Sequence, residues 1–380
     1  MSCDQVILII VGVFCFFYGA LISYFTIGWF SLKEFKNLVN KDFVKVSVIV
    51  PARNEAQNIE TLLNCLNAQD YPKHFFEIIV LDDSSTDHTA EIIKDFISRN
   101  SLQTNFTLIE TCQNEASGKK AMISKGIEKA TGTLIITTDA DCQMNQKWIS
   151  TIVAYYKKTK SKLIIGPVCF NDGKDFFSKI QELEFMSLIA SSAGSAMMKK
   201  PIMCNGANLI FEKSLFSELL PFSKRPNLAS GDDQFLLIDT KKRYPESISF
   251  LKSMDAIVFT DSQKNIISFV KQRIRWVSKS AHYHDNWLYF VSIVIFLFNF
   301  LTLTSLIVSI FNHGIFIYAA FLLIFKTIFD FPILMGITNF FDRKKNMLYY
   351  LPTQILVIIY TSFIGIAGNL IKVKWKDRKI

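Results

Sequence analysis

Glycine and proline are scarce, at 15 and 9 residues in a chain of 380. That scarcity excludes collagen-like and low-complexity classes, and a hydrophobic content of 50% with 35 Phe excludes a disordered chain. Cysteine offers no framework either. Cys3, Cys15, Cys65, Cys112, Cys142, Cys169 and Cys204 form no C-x-x-C pair, which points to reduced thiols and away from a zinc site. No internal repeat and no long Pro/Ser-rich linker divides the chain. The net charge of +9, from 42 basic and 33 acidic residues, does not come with a soluble basic patch interleaved with aromatics, so nucleic acid is not an expected partner.

What is abundant is apolar sequence, and it is concentrated at the two ends: mean hydropathy is +0.26 overall, yet the middle reads as soluble. Residues 6–30 run without a charge, and 288–311 and 349–371 are similar, each long enough to cross about 30 Å of hydrocarbon. A further run, 315–341, carries Lys326 and Asp330 four residues apart on one helical face, where they can pair, and Pro332, which is expected to kink it. The basic residues gather beside these runs: Lys33, Lys36, Lys41 and Lys45 after the first, and Arg343, Lys344 and Lys345 in a short loop. The positive-inside rule then places the large middle region in the cytoplasm and the chain in the inner (plasma) membrane, with membrane lipids as neighbours. The first run starts beside Asp4, is too long for a signal-peptide core and lacks an A-x-A-like site, so it is expected to be an uncleaved anchor. Counting one N-terminal and three C-terminal spans puts Lys372, Lys374, Lys376, Arg378 and Lys379 outside, against the same rule, so one C-terminal segment is expected to be re-entrant or interfacial. The expected organisation is an anchor over 1–30, a cytoplasmic domain over 31–262, an interfacial amphipathic segment over 263–286, about three membrane segments over 287–371 and a basic tail over 372–380.

In the soluble region, 46–50 (VSVIV) is a continuous β-branched run ended by Pro51, the pattern of a strand buried on both faces. Residues 58–68 place Ile59, Leu62, Leu63 and Leu66 at helical spacing, and 77–81 (EIIVL) is again a buried strand. The alternation continues with a helix at 89–98, a strand at 106–110, a helix at 119–130 and a strand at 133–138. This predicts an α/β, doubly wound, mostly parallel sheet. In such sheets ligands bind beyond the carboxyl ends of the strands, where Pro51 to Glu55, Asp82-Asp83 and Asp139-Ala140-Asp141 fall. Residues 264–280 mix Ile266, Ile267, Phe269, Val270, Ile274 and Val277 with Lys271, Arg273, Arg275 and Lys279, as an interfacial amphipathic helix does.

Asp139 and Asp141 can hold a hard divalent cation if substrate phosphates and water complete its shell; a capped turn is the alternative. Asp82 and Asp83 follow a strand, where one carboxylate can accept hydrogen bonds from a base or ribose, and Ser84, Ser85 or Asp87 can cap the helix beginning near Thr89. Gly231-Asp232-Asp233 can equally be a solvated turn, and Arg275-Trp276 an interfacial anchor. His282 and His284 lie close together near an apolar run and receive no role.

Taken in order, VSVIVPARNE, IIVLDDSSTD, GKKAMISKGIEKATGTLIITTDAD, SGDDQF and QRIRW resemble the family-2 glycosyltransferases with the GT-A nucleotide-sugar fold. The likeness is greatest to the membrane-integrated branch that includes cellulose, chitin and hyaluronan synthases and ceramide-type glucosyltransferases, and it covers roughly 46–280. The resemblance implies a GT-A domain with transmembrane helices, a nucleotide-sugar donor (a UDP-sugar), Mg²⁺ or Mn²⁺ as cofactor, and a lipid or glycan acceptor. It implies donor contacts from Pro51, Glu55, Asp82, Asp83, Lys119, Asp139, Gln272 and Arg275, with Asp139 and Asp141 as the metal ligands. Asp233 would be the catalytic base, and Asp232, Trp276 and Asn205 would lie on the acceptor side. Attack of a hydroxyl on an anomeric carbon needs a base on one side and positive charge beside the departing diphosphate on the other, and Asp233 and Arg275 with the metal supply those poles. A single in-line displacement inverts the anomeric centre. Two other readings stay open: a processive polysaccharide synthase, which QRIRW favours and the few spans disfavour, and a non-catalytic nucleotide-sugar sensor.

Overall fold

The computed structural model describes residues 2–36, 42–102, 105–111, 118–221, 231–279, 283–368, 374–375 and 378–379. Lys41, Cys112, His282, the end of the last apolar run and tail residues Lys372 and Lys376 lie outside the described residues. The chain divides into two compact units: a sheet unit of Lys33–Asn171 and Met203–Asp261, and a helical unit of Met1–Leu32, Asp172–Ile202 and Ser262–Ile380.

In the helical unit, helices numbered along the chain are α1 (Cys3–Ser31), α6 (Phe176–Met197), α9 (Ile266–Val277), α10 (Asn286–Ser309), α11 (Phe316–Phe340) and α12 (Tyr350–Ala367). Four helical segments among the described residues are long and apolar enough to cross a membrane: Asp4–Ser31, Asn286–Ser309, His313–Phe340 and Lys344–Ala367. Their outward faces carry exposed apolar side chains such as Phe16, Ile293, Ile317 and Ile355. α11 continues through Pro332. A Cβ on Gly28 of α1 would stand 2.2 Å from the Gly194 carbonyl oxygen of α6, so the two backbones approach as only small residues allow. The charges inside α11 satisfy each other: Lys326 pairs with Asp330 at 2.5 Å and donates to the Tyr18 hydroxyl at 2.9 Å, which donates to Asp330 at 2.8 Å.

One expectation changes here. The segment Asp172–Ile202 does not join a domain running through 31–262; it packs with α1, α11 and α12 in the helical unit. α6 is buried around nearly its whole circumference between Ile180 and Ala196. A helix buried on all sides, with Gln181, Glu182, Glu184, Ser192 and Ser195 among its buried residues, carries no one-faced period to show where it belongs.

The sheet unit is built on β1 (Val46–Ala52), β2 (Phe76–Asp82), β3 (Phe106–Glu110), β4 (Leu134–Thr137), β6 (Leu163–Ile165), β8 (Leu209–Glu212) and β9 (Ile248–Phe250), in spatial order β3-β2-β1-β4-β8-β6-β9. β1, β2, β3 and β4 run parallel, β6 and β9 run parallel, and β8 is antiparallel to both β4 and β6. A small second sheet joins β5 (Gln143–Met144), β10 (Val258–Thr260) and β7 (Val168–Phe170) in the order β5-β10-β7. The helices are α2 (Ile59–Asn67), α3 (Thr89–Arg99), α4 (Lys119–Lys129), α5 (Trp148–Thr159), α7 (Lys213–Leu219) and α8 (Asp232–Arg243). α2 buries Ile59, Leu62, Leu63 and Leu66, the stripe its spacing predicts. α4 lies close on the sheet because Gly126 faces it: a Cβ there would come within 2.8 Å of Ile49 and 2.9 Å of Leu81. Register aligns Ala52 with Asp82 across β1 and β2 and Ile49 with Thr137 across β1 and β4, so the three polar clusters leave the sheet at one edge.

Candidate active site

The loops after β1 and β2 are tied together before any ligand enters. Asn54 and Ser84 both adopt the left-handed conformation (φ 53°), and Asn54 receives the Thr86 N–H on its side-chain oxygen at 2.8 Å while its own N–H donates to Ser85 Oγ at 2.9 Å. Asp82, at the end of β2 and nearly buried, accepts the Ser85 N–H (3.0 Å) and hydroxyl. Asp83 is also buried; its carboxylate accepts the Gly118 N–H at 3.1 Å and lies 3.8 Å from Arg53, whose guanidinium donates to the Asp83 carbonyl at 2.9 Å. Asp83 therefore fastens the start of α4 to the end of β2. Asp87 accepts from Thr89 at the start of α3 and from the Ala56 N–H at 3.2 Å, which is the capping role. Pro51 remains within β1, opposite Leu81.

Just beyond β4 the charges converge. Asp139 pairs with the Lys119 ammonium, and Lys119 also feels Asp232 and Asp233. Burial alone would lower the lysine pKa, but the three carboxylates outweigh it and hold the side chain firmly charged. Asp141 stands in the opposite situation: burial, then Asp139, then Glu55 push its carboxyl up to about 6, against a weaker pull from Lys119. Thr260 Oγ1 donates to Asp141 at 3.3 Å from β10, a contact between a strand and a turn distant in sequence. Glu55 is held by its N–H to Thr89 Oγ1 at 2.8 Å and by Asn58 at 3.0 Å. Burial and the adjacent aspartates raise the thiols of Cys142 and Cys204 well above their ordinary value, so neither is a ready nucleophile.

The opposite wall comes from α8 and the turn before β8. Asp232 and Asp233 are the first two residues of α8, after Gly231 in the left-handed region (φ 92°). Asp233 accepts the Gly206 N–H at 3.0 Å and the Gln234 N–H at 2.8 Å, one on each carboxylate oxygen, and is fixed in orientation by backbone. Asn205 caps the turn by accepting the Ala207 N–H at 3.0 Å. Asn208 is buried and takes part in three hydrogen bonds, to the Pro167 carbonyl (2.8 Å), the Ala256 carbonyl (2.9 Å) and Trp148 Nε1 (3.2 Å). It is the structural anchor of that turn.

A pair of carboxylates, one of them poorly compensated, with a hydroxyl beside it, fits a hard divalent cation. Among the described residues no group of three or more His, Cys, Asp or Glu side chains is placed to hold a metal, so phosphate oxygens and water would supply the remaining ligands.

Gln272, Arg275 and Trp276 belong to α9 in the helical unit, and there the buried arginine is Arg273. It pairs with buried Glu184 of α6, donates to Gln272 Oε1 at 2.6 Å, and its guanidinium carbon lies 4.5 Å from the Phe269 ring and 4.2 Å from the Trp276 ring. Tyr360 of α12 donates to Glu184 at 2.6 Å. Arg275 is half-buried. Residue types alone single out Gln272, Arg275 and Trp276, but not the Arg273–Glu184 pair that supports two of them. The available signal was two carboxylates, Glu182 and Glu184, two residues apart in a helix buried over most of its length.

The model of "Glycosyl transferase family group 2" matches residues 134–334, more than half of the chain, and that of "Glycosyl transferase family 2" matches 47–220. The chain belongs to glycosyl transferase family 2. Among relatives of this family-2 glycosyltransferase, glycosyltransferase AglE of Haloferax volcanii is 32% identical over 198 residues, 50% of this chain and 58% of the relative. The poly(ribitol-phosphate) β-N-acetylglucosaminyltransferase TarS of Staphylococcus aureus is 33% identical over 122 residues, 32% of this chain and 20% of the relative. The chain thus matches less than two thirds of the length of either relative. The mannosyltransferase PcManGT from Pyrobaculum calidifontis, solved in complex with GDP-Man and Mn²⁺, superposes with a TM-score of 0.58 at 17% identity, over 96% of this chain and 98% of that one. The fold is accordingly GT-A, an α/β domain with a mostly parallel sheet, accompanied by apolar helices.

Proposed function

We propose that this family-2 glycosyltransferase is a membrane-bound, cation-dependent, inverting enzyme that transfers a sugar from a nucleotide-sugar donor, a UDP-sugar, to a lipid or glycan acceptor at the cytoplasmic face. The observation that carries this reading is the convergence of Glu55, Lys119, Asp139, Asp141, Asp232 and Asp233 in one charge cluster at the carboxyl edge of β1, β2 and β4. Asp82 and the loop after Pro51 bind the base and ribose. Asp139 and Asp141 hold Mg²⁺ or Mn²⁺, which when bound supplies positive charge to the departing diphosphate. Asp233 accepts the proton of the acceptor hydroxyl as its oxygen bonds to the anomeric carbon and the nucleoside diphosphate leaves with the electron pair of the broken C–O bond. Its two backbone hydrogen bonds keep the carboxylate aimed through the step. Gln272, Arg275 and Trp276 carry the donor and acceptor roles the family likeness gives them.

A lipid acceptor is favoured over a secreted polymer. A sugar chain in hydrocarbon needs a polar tunnel walled by several helices, and this chain has four candidate spans among its described residues. The test is purified protein in detergent with a panel of nucleotide sugars. Donor-dependent release of nucleoside diphosphate, lost in Asp141→Asn, and a short product that partitions into organic solvent are expected. No release from any donor refutes the enzyme, and a water-soluble polymer refutes the lipid acceptor.

A further inference from the structure

Lys119 occupies an unusual position for a residue that only waits for substrate. Its backbone is fixed: the preceding Gly118, at the left-handed φ of 101°, donates its N–H to Asp83 at 3.1 Å and its carbonyl accepts the Met122 N–H at 3.1 Å. From that anchor the side chain reaches across to Asp139 and pairs with one of its oxygens. The pair is not sealed off, since the two side chains are 24% and 36% exposed. A second carboxylate is in reach of the same ammonium. The point where a Cβ on Gly206 would sit lies 3.4 Å from Lys119 Nζ and 3.5 Å from Asp233 Oδ2, so both groups face one open spot above that glycine.

We propose that Lys119 is an internal competitor for the divalent cation: it neutralises Asp139 in the free protein and yields it only when donor phosphate and cation arrive together. The proposal rests on the cation-assisted reading of this cleft given above. Lys119 holds one oxygen of Asp139, and a divalent cation on the same carboxylate, even on its other oxygen, is repelled by the ammonium, so cation and Lys119 oppose each other there. Two carboxylates bind such an ion weakly in any case. Competition weakens it further until a diphosphate offers oxygens to the metal and, at the same time, a new anionic partner to the released ammonium. Asp233, beside the same spot, is the other partner available to it. Cation and nucleotide binding are therefore coupled through one side chain, and the free enzyme does not hold its metal.

The experiment is a Mn²⁺ titration of the full-length protein in detergent, followed by electron paramagnetic resonance without nucleotide and then with a nucleoside diphosphate. In the wild type, Mn²⁺ should bind weakly alone and tighten when the nucleotide is added. Lys119→Gln should bind Mn²⁺ alone on the order of tenfold more tightly, the lower end of the effect one charge has on a neighbouring carboxylate. The enhancement by nucleotide should shrink correspondingly. Lys119→Arg, which keeps the charge, should stay close to wild type, and adding Asp139→Asn to Lys119→Gln should erase the gain. Mn²⁺ binding to Lys119→Gln that is no tighter than wild type overturns the proposal. If that variant does not fold, the wild type decides: the ¹⁵N resonance of the Lys119 ammonium should shift on adding Mg²⁺ with nucleoside diphosphate, and an unchanged resonance overturns the competition. Donor-dependent diphosphate release is measured separately, so loss of turnover and absence of competition are distinct results.

Discussion

Neutralising one member of the Arg273–Glu184 pair is expected to destabilise the helical unit far more than removing both. Both side chains are almost fully buried, at 4% and 1% exposure. Glu184 receives Arg273 Nε at 3.3 Å, a second guanidinium nitrogen and the Tyr360 hydroxyl at 2.6 Å. Glu184→Gln keeps the shape but leaves a guanidinium without its counter-charge, a loss of about 3–5 kcal/mol. For a unit of this size that corresponds to roughly 6–20 °C in Tm. The double variant Arg273→Met/Glu184→Met, made in a Tyr360→Phe background so that no buried hydroxyl loses its acceptor, removes the desolvation cost along with the attraction and should return to within about 1 kcal/mol of wild type. Thermal unfolding in detergent, measured for Arg273→Met, Glu184→Met and the double in the same background, gives the coupling directly. The reasoning fails if the single variants melt within about 2 °C of wild type, or if the double loses as much as the singles combined. Because Arg273 also lies against Trp276 and holds Gln272, the double variant should be stable yet impaired in acceptor use.

Chelator should abolish activity and Mg²⁺ or Mn²⁺ restore it, with cation affinity dropping as pH falls below about 6, where Asp141 takes up a proton in place of the metal; affinity flat between pH 7 and 5 contradicts this. Asp233→Asn should leave donor and cation binding nearly unchanged and lower turnover by roughly 10²-fold or more, read as kcat against a calorimetric donor Kd. Gly206→Ala places a methyl in ordinary contact with Lys119 Nζ and Asp233 Oδ2, so the protein should fold normally and lose turnover; full activity would show that the spot above Gly206 is not used. Gly28→Leu should separate α1 from α6 and lower the yield of folded protein, whereas the same change at Gly12, where a Cβ meets nothing within 4 Å, should be silent.

The sheet was legible because its physics is local. The run 46–50 is apolar on both faces, the stripe in α2 has a helical period, and together they predict both elements and their parallel order. The antiparallel β8 was not legible, since its pairing with Leu134–Thr137 on one side and Leu163–Ile165 on the other depends on partners 44 or more positions earlier in the sequence. The same distinction divides the site. The placement of Asp82, Asp139 and Asp141 at one edge was legible because Asp82 ends β2 and the other two follow β4, and these strand ends share an edge. Thr260 on Asp141, Gly206 on Asp233 and Lys119 on Asp139 are contacts across the fold, and no spacing announces them.

A strand end explains why a carboxylate is present, but its chemistry is set by what the fold brings beside it. Asp139 and Asp141 are two residues apart on one turn, yet Asp139 is paired with Lys119 while Asp141 is left among Glu55 and Asp139 with its pKa near 6. The motif is symmetric in sequence and asymmetric in charge. That asymmetry arises because Asp83 pins Gly118, and with it the start of α4, where Lys119 reaches only the first of the two. A residue whose own carboxylate is committed to a backbone N–H therefore decides which of the two aspartates is paired. Asp83→Asn, which keeps the size and loses the charge, should loosen that placement and make cation binding less dependent on nucleotide even with Lys119 intact. Unchanged coupling in that variant would mean that α4 is held by the sheet alone, through Gly126 against Ile49 and Leu81.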